Sequence, residues 1–182
     1  MNELTLRTSY KIYDTEFPYY ITSTIVGWVN IFTNEKYFRL LFDNFIFYQN
    51  KYKLEIIAYV IMKNHFHMIL RSREIEKAIQ SLKSYVAKLI LKELNNDNNK
   101  FVLEKLRIEK ALYKVESDYQ VWQEGYHPQE MRDSFILKQK IEYIHNNPVR
   151  KGYVDKAEDW KHSSARFYLL GEESLLKITR YD

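Results

Sequence analysis

From Glu74 to Leu94, the apolar residues Ile75, Ile79, Leu82, Val86, Leu89 and Ile90 form one stripe, and Lys77, Ser84, Lys88 and Lys92 lie off it. That spacing predicts an amphipathic helix, closed by the polar run Asn95 to Asn99. Glu35 to Gln49 repeats the pattern with Phe38, Leu41, Phe42, Phe45 and Tyr48. Tyr19 to Val29 is instead rich in Ile, Thr, Val and Tyr, and reads as a strand. Two further β-forming runs, Leu54 to Ile61 and His65 to Arg71, flank the short polar break Met62-Lys63-Asn64 and predict an antiparallel hairpin. Leu106 to Val115 reads as a fourth strand. Asp133 to Asn147 reads as a helix that Pro148 ends, because proline cannot continue it. Val149 to Asp182 is basic and aromatic, with no assignable element.

The order strand, helix, strand, strand, helix, strand predicts an α+β fold: the ferredoxin-like βαββαβ arrangement. Helices then cover one face of an antiparallel sheet. The other face is left for a ligand or for the added C-terminal helix, Asp133 to Asn147. A chain of 182 residues suits one domain, with its core at about residues 19–168 and residues 95–119 as a candidate insertion.

Composition narrows the chemistry. The chain has no cysteine, so a metal site must use His, carboxylate, amide or water ligands. The net charge is +4 and the pI about 9.0, which permits nucleic-acid binding without requiring it. Sixteen Tyr and 10 Phe exceed what is usual; most will be core, and some are available for base stacking. The longest clean apolar run, Ile56 to Met62, is too short to span a bilayer. Met1 to Arg7 lacks a signal peptide's apolar centre. A cytoplasmic protein that engages no membrane is expected.

The sharpest local signal is His65-Phe66-His67. On a strand, residues two apart share a face, so the imidazoles project together and Phe66 points into the core. Two neutral imidazoles can hold a divalent ion with water or phosphate in its open positions. The plain alternative is two polar residues on a half-exposed strand. A second constellation closes the last helix: Tyr143 and Asn147, four apart, share a helix face. A phenol there is a nucleophile for a phosphodiester if a metal assists it, and Asn147 offers an amide oxygen as a third ligand. The plain alternative is a packing tyrosine and a capping asparagine.

These segments resemble a family. Tyr59 to Leu70, with Asn64-His65-Phe66-His67, looks like the Asn-His-hydrophobic-His segment of HUH-type single-tyrosine transposases. Val121-Trp122-Gln123, Tyr143-Ile144-His145-Asn146-Asn147-Pro148-Val149-Arg150-Lys151-Gly152 and Asp159-Trp160-Lys161-His162-Ser163-Ser164-Ala165 resemble the REP-associated tyrosine transposase branch of that IS200-like family. The resemblance implies Mg²⁺ or Mn²⁺ on His65 and His67, with Asn147 in the helix-borne ligand position. It implies Tyr143 as the nucleophile, a 5′-phosphotyrosine intermediate, and single-stranded or hairpin DNA as substrate. It leaves open whether the chain works alone or as a homodimer.

Tyr126 competes with Tyr143. It follows a family-like segment but sits in a loop between Gly125 and Pro128, where its position is less fixed. Lys63, Lys83, Lys88, Arg150 and Lys151 lie near the motifs and are candidate DNA contacts. Two other functions stay in view: a domesticated, non-catalytic single-strand binder, and another HUH endonuclease such as a relaxase or replication initiator. A hydrolase built on the His pair alone would not need Tyr143.

Overall fold

A computed structural model describes residues 14–112 and 114–181. Its sheet is built from β1 (Tyr19–Thr24), β2 (Glu55–Ile61), β3 (His65–Arg71) and β4 (Gln129–Glu130). The strand order is β2-β3-β1-β4, and every pairing is antiparallel. This is the ferredoxin-like order that the alternation of elements predicts.

The period-2 pattern of the strands sorts side chains between two layers. Phe66, Met68 and Leu70 of β3 face one side, with Ile21 of β1 and Tyr59 and Ile61 of β2. There they bury against α1 (Glu35–Lys51), through Phe38, Leu41, Phe42 and Phe45, and against α2 (Ile75–Asn96), through Ile79, Leu82, Val86 and Ile90. Ile69 faces the other side with Tyr20, Ile57, Ala58 and Val60, and packs there against Leu137 and Ile144 of α4 (Ser134–Arg150). The β2–β3 register shifts between Ile56 and Ala58, so the adjacent residues Ile57 and Ala58 both serve this second layer.

The fourth strand is not where the apolar run Leu106 to Val115 places it. That run begins inside α3 (Lys100–Ile108), where Asn99 caps the first turn and Leu103 and Leu106 bury one face. The partner of β1 is instead the irregular stretch from Val121 to Met131. Its bonds to β1 and the residues flanking it are scattered: Val26 N to Val121 O, Gln123 N to Thr24 O, Thr22 N to Tyr126 O and Met131 N to Pro18 O. Gly125 and His127 have positive φ, which breaks the ladder and leaves only two residues of regular strand.

Two other boundaries differ. The first strand stops at Thr24, and Val26–Trp28 forms a 3-10 turn. Pro148 does not end α4, which runs on to Arg150. Its end is set by Gly152 at φ 67°, with Tyr153 N donating to Pro148 O and Gly152 N to Val149 O. That Schellman arrangement stops a helix irrespective of the proline in its last turn.

The tail has structure after all: a 3-10 turn at Ala157–Asp159 and α5 (Ala165–Leu170). It covers the outer edge of β2 through Ile61 N to His162 O, Ser164 N to Tyr59 O and Thr179 N to Ile56 O. An otherwise unpaired strand edge is thereby satisfied. No helix among the described residues is long and apolar enough to cross a membrane.

Candidate active site

His65 and His67 share the α4 face of β3, as strand alternation predicts, with ring centroids 4.8 Å apart. Both are buried. Burial, reinforced by Lys151, lowers His65 to about 4. Burial, reinforced by His65 and Lys140, lowers His67 to about 3. Both rings are therefore neutral near pH 7, the state a metal ligand needs.

Neighbouring oxygens fix the rings. The Asn64 amide nitrogen donates to the Trp28 carbonyl at 3.0 Å and to Asn30 Oδ1 at 3.0 Å. This orients the amide so that Asn64 Oδ1 faces His65 Nδ1 at 2.7 Å. A carbonyl oxygen only accepts, so His65 Nδ1 carries the proton and Nε2 keeps its lone pair. His67 Nδ1 lies 2.8 Å from both the Tyr20 hydroxyl and Thr22 Oγ1, so Nε2 is again the nitrogen turned to other uses. This oxygen-backed arrangement is what orients imidazoles toward a metal. Among the described residues no group of three or more His, Cys, Asp or Glu is assembled for a metal. A third protein donor at the pair would have to be an amide or hydroxyl.

Helix α4 crosses this face. Asp133 caps it, accepting from Phe135 N and Ile136 N, and Leu137 and Ile144 anchor it to the sheet. His145 Nε2 lies 2.8 Å from Ser164 Oγ, tying the same helix to the tail. The anchored helix places the Tyr143 ring 5.8 Å from the His67 ring. Tyr143 is 39% exposed, so an incoming strand can reach its phenol. Lys140 acts on His67 and Lys151 on His65, so the Lys140–Tyr143–Asn147–Lys151 face runs along the pair. Asn147 lies on that face; it is buried, and its amide nitrogen bonds the Tyr143 carbonyl weakly at 3.4 Å.

Tyr126 belongs to the opposite layer. Its ring packs against the core shared with α1 and α2. Burial, with Glu76 of α2 adding to it, pushes its phenol up to about 12. The geometry brings Tyr143, and not Tyr126, to the histidines.

The predicted cations divide. Arg150 lies over the Tyr143 ring at 5.5 Å and is exposed, as is Lys151. Lys63 lies over Tyr153 at 4.3 Å. Lys83 is occupied elsewhere: its ammonium donates to Gln123 O at 3.1 Å and Gly125 O at 2.6 Å, holding the β4 approach. Lys88 is exposed on α2, the layer opposite the histidines. Sequence reading missed Lys140, whose ammonium lies 4.3 Å from the Tyr20 ring and 5.4 Å from the Tyr143 ring. Its position one turn before Tyr143 was the available signal. It also missed Tyr20, Thr22 and Trp28, whose relation to the pair is purely tertiary.

The chain is similar to known proteins in sequence and in fold. A family model described as "Transposase IS200 like" matches residues 29–147. A Haemophilus influenzae protein described as "Putative REP-associated tyrosine transposase" is 24% identical over 113 residues, which is 62% of this chain and 60% of that protein. The chain thus matches about three fifths of that relative's length. A solved structure of a REP-associated tyrosine transposase bound to a REP hairpin superposes with a TM-score of 0.63 at 18% identity, covering 94% of this chain and 93% of that one.

Proposed function

The chain belongs to the IS200-like transposase family, and from that premise we propose that it cuts and rejoins single-stranded or hairpin DNA with Tyr143 as nucleophile. The observation that carries this is the Tyr143 ring lying 5.8 Å from the second histidine of the pair. The Tyr143 hydroxyl gives up its proton to water and its oxygen bonds to phosphorus, the P–O3′ bond breaks, and the departing O3′ takes up a proton. The products are a 5′-phosphotyrosine and a free 3′-hydroxyl. In the reverse sense a 3′-hydroxyl attacks the phosphotyrosine and restores a phosphodiester.

His65, His67 and Asn147 are the residues that would hold Mg²⁺ or Mn²⁺. Such an ion supplies Lewis-acid polarisation of the scissile phosphate. The neutral, oxygen-backed imidazoles fit that role. Lys140 and Arg150 flank Tyr143, where they balance the charge of a phenolate and of neighbouring phosphates. Lys63 and Lys151 extend the cationic surface along the bound strand. The similar solved protein holds a hairpin, which supports a hairpin substrate here.

The test is to trap the covalent product on a labelled hairpin oligonucleotide with Mn²⁺, digest it, and locate the modified peptide by mass spectrometry. DNA on Tyr143 is the expected result. DNA on Tyr126, or strand hydrolysis with no adduct, overturns the assignment.

A further inference from the structure

Trp28 is 58% exposed, whereas Trp122 is 6% exposed and Trp160 is half-buried. It also has φ 54°, immediately after Gly27 at φ 57°. Left-handed backbone is disfavoured for a bulky residue and persists only where surroundings enforce it. Two hydrogen bonds hold it. Trp28 N donates to Ile25 O at 3.1 Å, and Asn64 Nδ2 donates to Trp28 O at 3.0 Å. Glu109, just beyond α3, lies so close to Gly27 that a Cβ there would meet its Cγ at 2.5 Å. The candidate insertion at residues 95–119 thus lies against this turn. Core packing explains none of it, since the ring faces solvent.

The enforced turn sets the indole edge-on to His65, 5.7 Å away at 75°. His65 and His67 follow at 4.8 Å, and Tyr143 at 5.8 Å from His67. Each ring thus neighbours the next in the sequence Trp28, His65, His67, Tyr143.

We propose that Trp28 is a stacking platform for the base of the nucleotide whose 3′-oxygen departs when Tyr143 attacks. This rests on the tyrosine-nucleophile reading above. In an in-line displacement, nucleophile and leaving group stand on opposite sides of phosphorus. With the phosphate over the histidines and Tyr143 on one side, the leaving O3′ and its base fall on the Trp28 side. Stacking on an aromatic face tolerates any base. Its consequence is retention: the 3′-hydroxyl strand stays beside the phosphotyrosine after P–O3′ cleavage, ready to re-form the bond. Trp28 is therefore a positioning residue whose main effect is on rejoining.

The experiment uses Trp28→Asn and Trp28→Phe. Asparagine accepts left-handed backbone, so the turn survives while the platform is lost; phenylalanine keeps a π-face. Adduct at Tyr143 and the fraction of strand rejoined are measured on an intact oligonucleotide and on one abasic immediately 5′ of the cleaved phosphate. Trp28→Asn should still form the adduct but rejoin about tenfold less, in the range of one lost base stack. Trp28→Phe should recover most of this. The abasic substrate should reproduce the loss with wild-type protein and add nothing to Trp28→Asn. Wild-type rejoining by Trp28→Asn, or an abasic loss equally large in both proteins, overturns the platform while the Tyr143 adduct leaves the parent reading standing. If wild-type protein forms no adduct, the parent reading fails, and Trp28 is judged by fluorescence. The emission that Trp28→Asn lacks must be quenched by a single-stranded 12-mer, and unchanged emission on binding overturns the platform.

Discussion

Tyr143 of α4 and His67 of β3 lie with their rings 5.8 Å apart, on the face of the sheet opposite α1 and α2. Tyr143→Phe removes the phenol oxygen and keeps a ring that is already partly exposed, so the fold should be unchanged. Adduct formation should drop by on the order of 10⁴-fold or more, as for loss of a nucleophile. Tyr126→Phe should leave adduct formation within a few-fold of wild type. A gel assay of covalent product over time measures both, and full-rate adduct from Tyr143→Phe would remove the tyrosine from the chemistry.

Metal dependence should track the oxygens behind the imidazoles as well as the imidazoles themselves. Mn²⁺ at about 100 times its Kd should stabilise wild-type protein by about 2.7 kcal/mol, read as a rise in Tm. His65→Ala with His67→Ala should abolish that rise. Asn64→Ala, which frees His65 Nδ1, should weaken Mn²⁺ about 10- to 100-fold. An unchanged Mn²⁺ titration in Asn64→Ala would show that the amide does not orient the ligand.

Lys140 and Lys83 should separate by assay. Lys140→Gln and Arg150→Gln should each lower the salt slope of single-strand binding by roughly 0.7, and Lys140→Gln should slow adduct formation about tenfold. Lys83→Met strips two carbonyls of their donor and should cost about 1–3 kcal/mol of stability in urea titration. Its salt slope should stay at the wild-type value. A lower slope from Lys83→Met would return that residue to the DNA surface.

Acid should destabilise the metal-free protein. Burial holds His145 at about 4 and lowers His162 as well, against an unfolded value near 6.5. The unfolded chain then binds more protons than the folded one between those values. Stability is complete above pH 6.5 and is lost as pH falls toward 4. Urea midpoints in chelator should be level from pH 8 to 7 and fall from 6.5 to 4.5, with a shallower fall in His145→Gln. A midpoint that rises on acidification would contradict neutral burial.

The sequence by itself determined which residues share a face within one element. Alternation along β3 puts His65 and His67 together and Phe66 behind them, and the helical repeat puts Tyr143 and Asn147 on one side of α4. It also determined the order of β1, α1, the β2–β3 hairpin and α2, because these segments carry strong periodicity and clear breaks. Only the tertiary structure decided the rest. The partner of β1 is an irregular stretch whose bonds straddle Gly125 and His127, so no hydrophobic period marks it, while Leu106 buries from a helix. The end of α4 depends on the Gly152 cap, which overrides the expectation drawn from Pro148. Which of Tyr143 and Tyr126 lies beside the histidines depends on the layer each occupies. Lys83 donates its ammonium to loop carbonyls, and the Trp28 turn beside His65 is held by bonds to Asn64 and Ile25. Periodicity is a local property of the chain. The distance from a helix to a strand face, or from a side chain to a distant carbonyl, is set by packing between elements that no local period encodes.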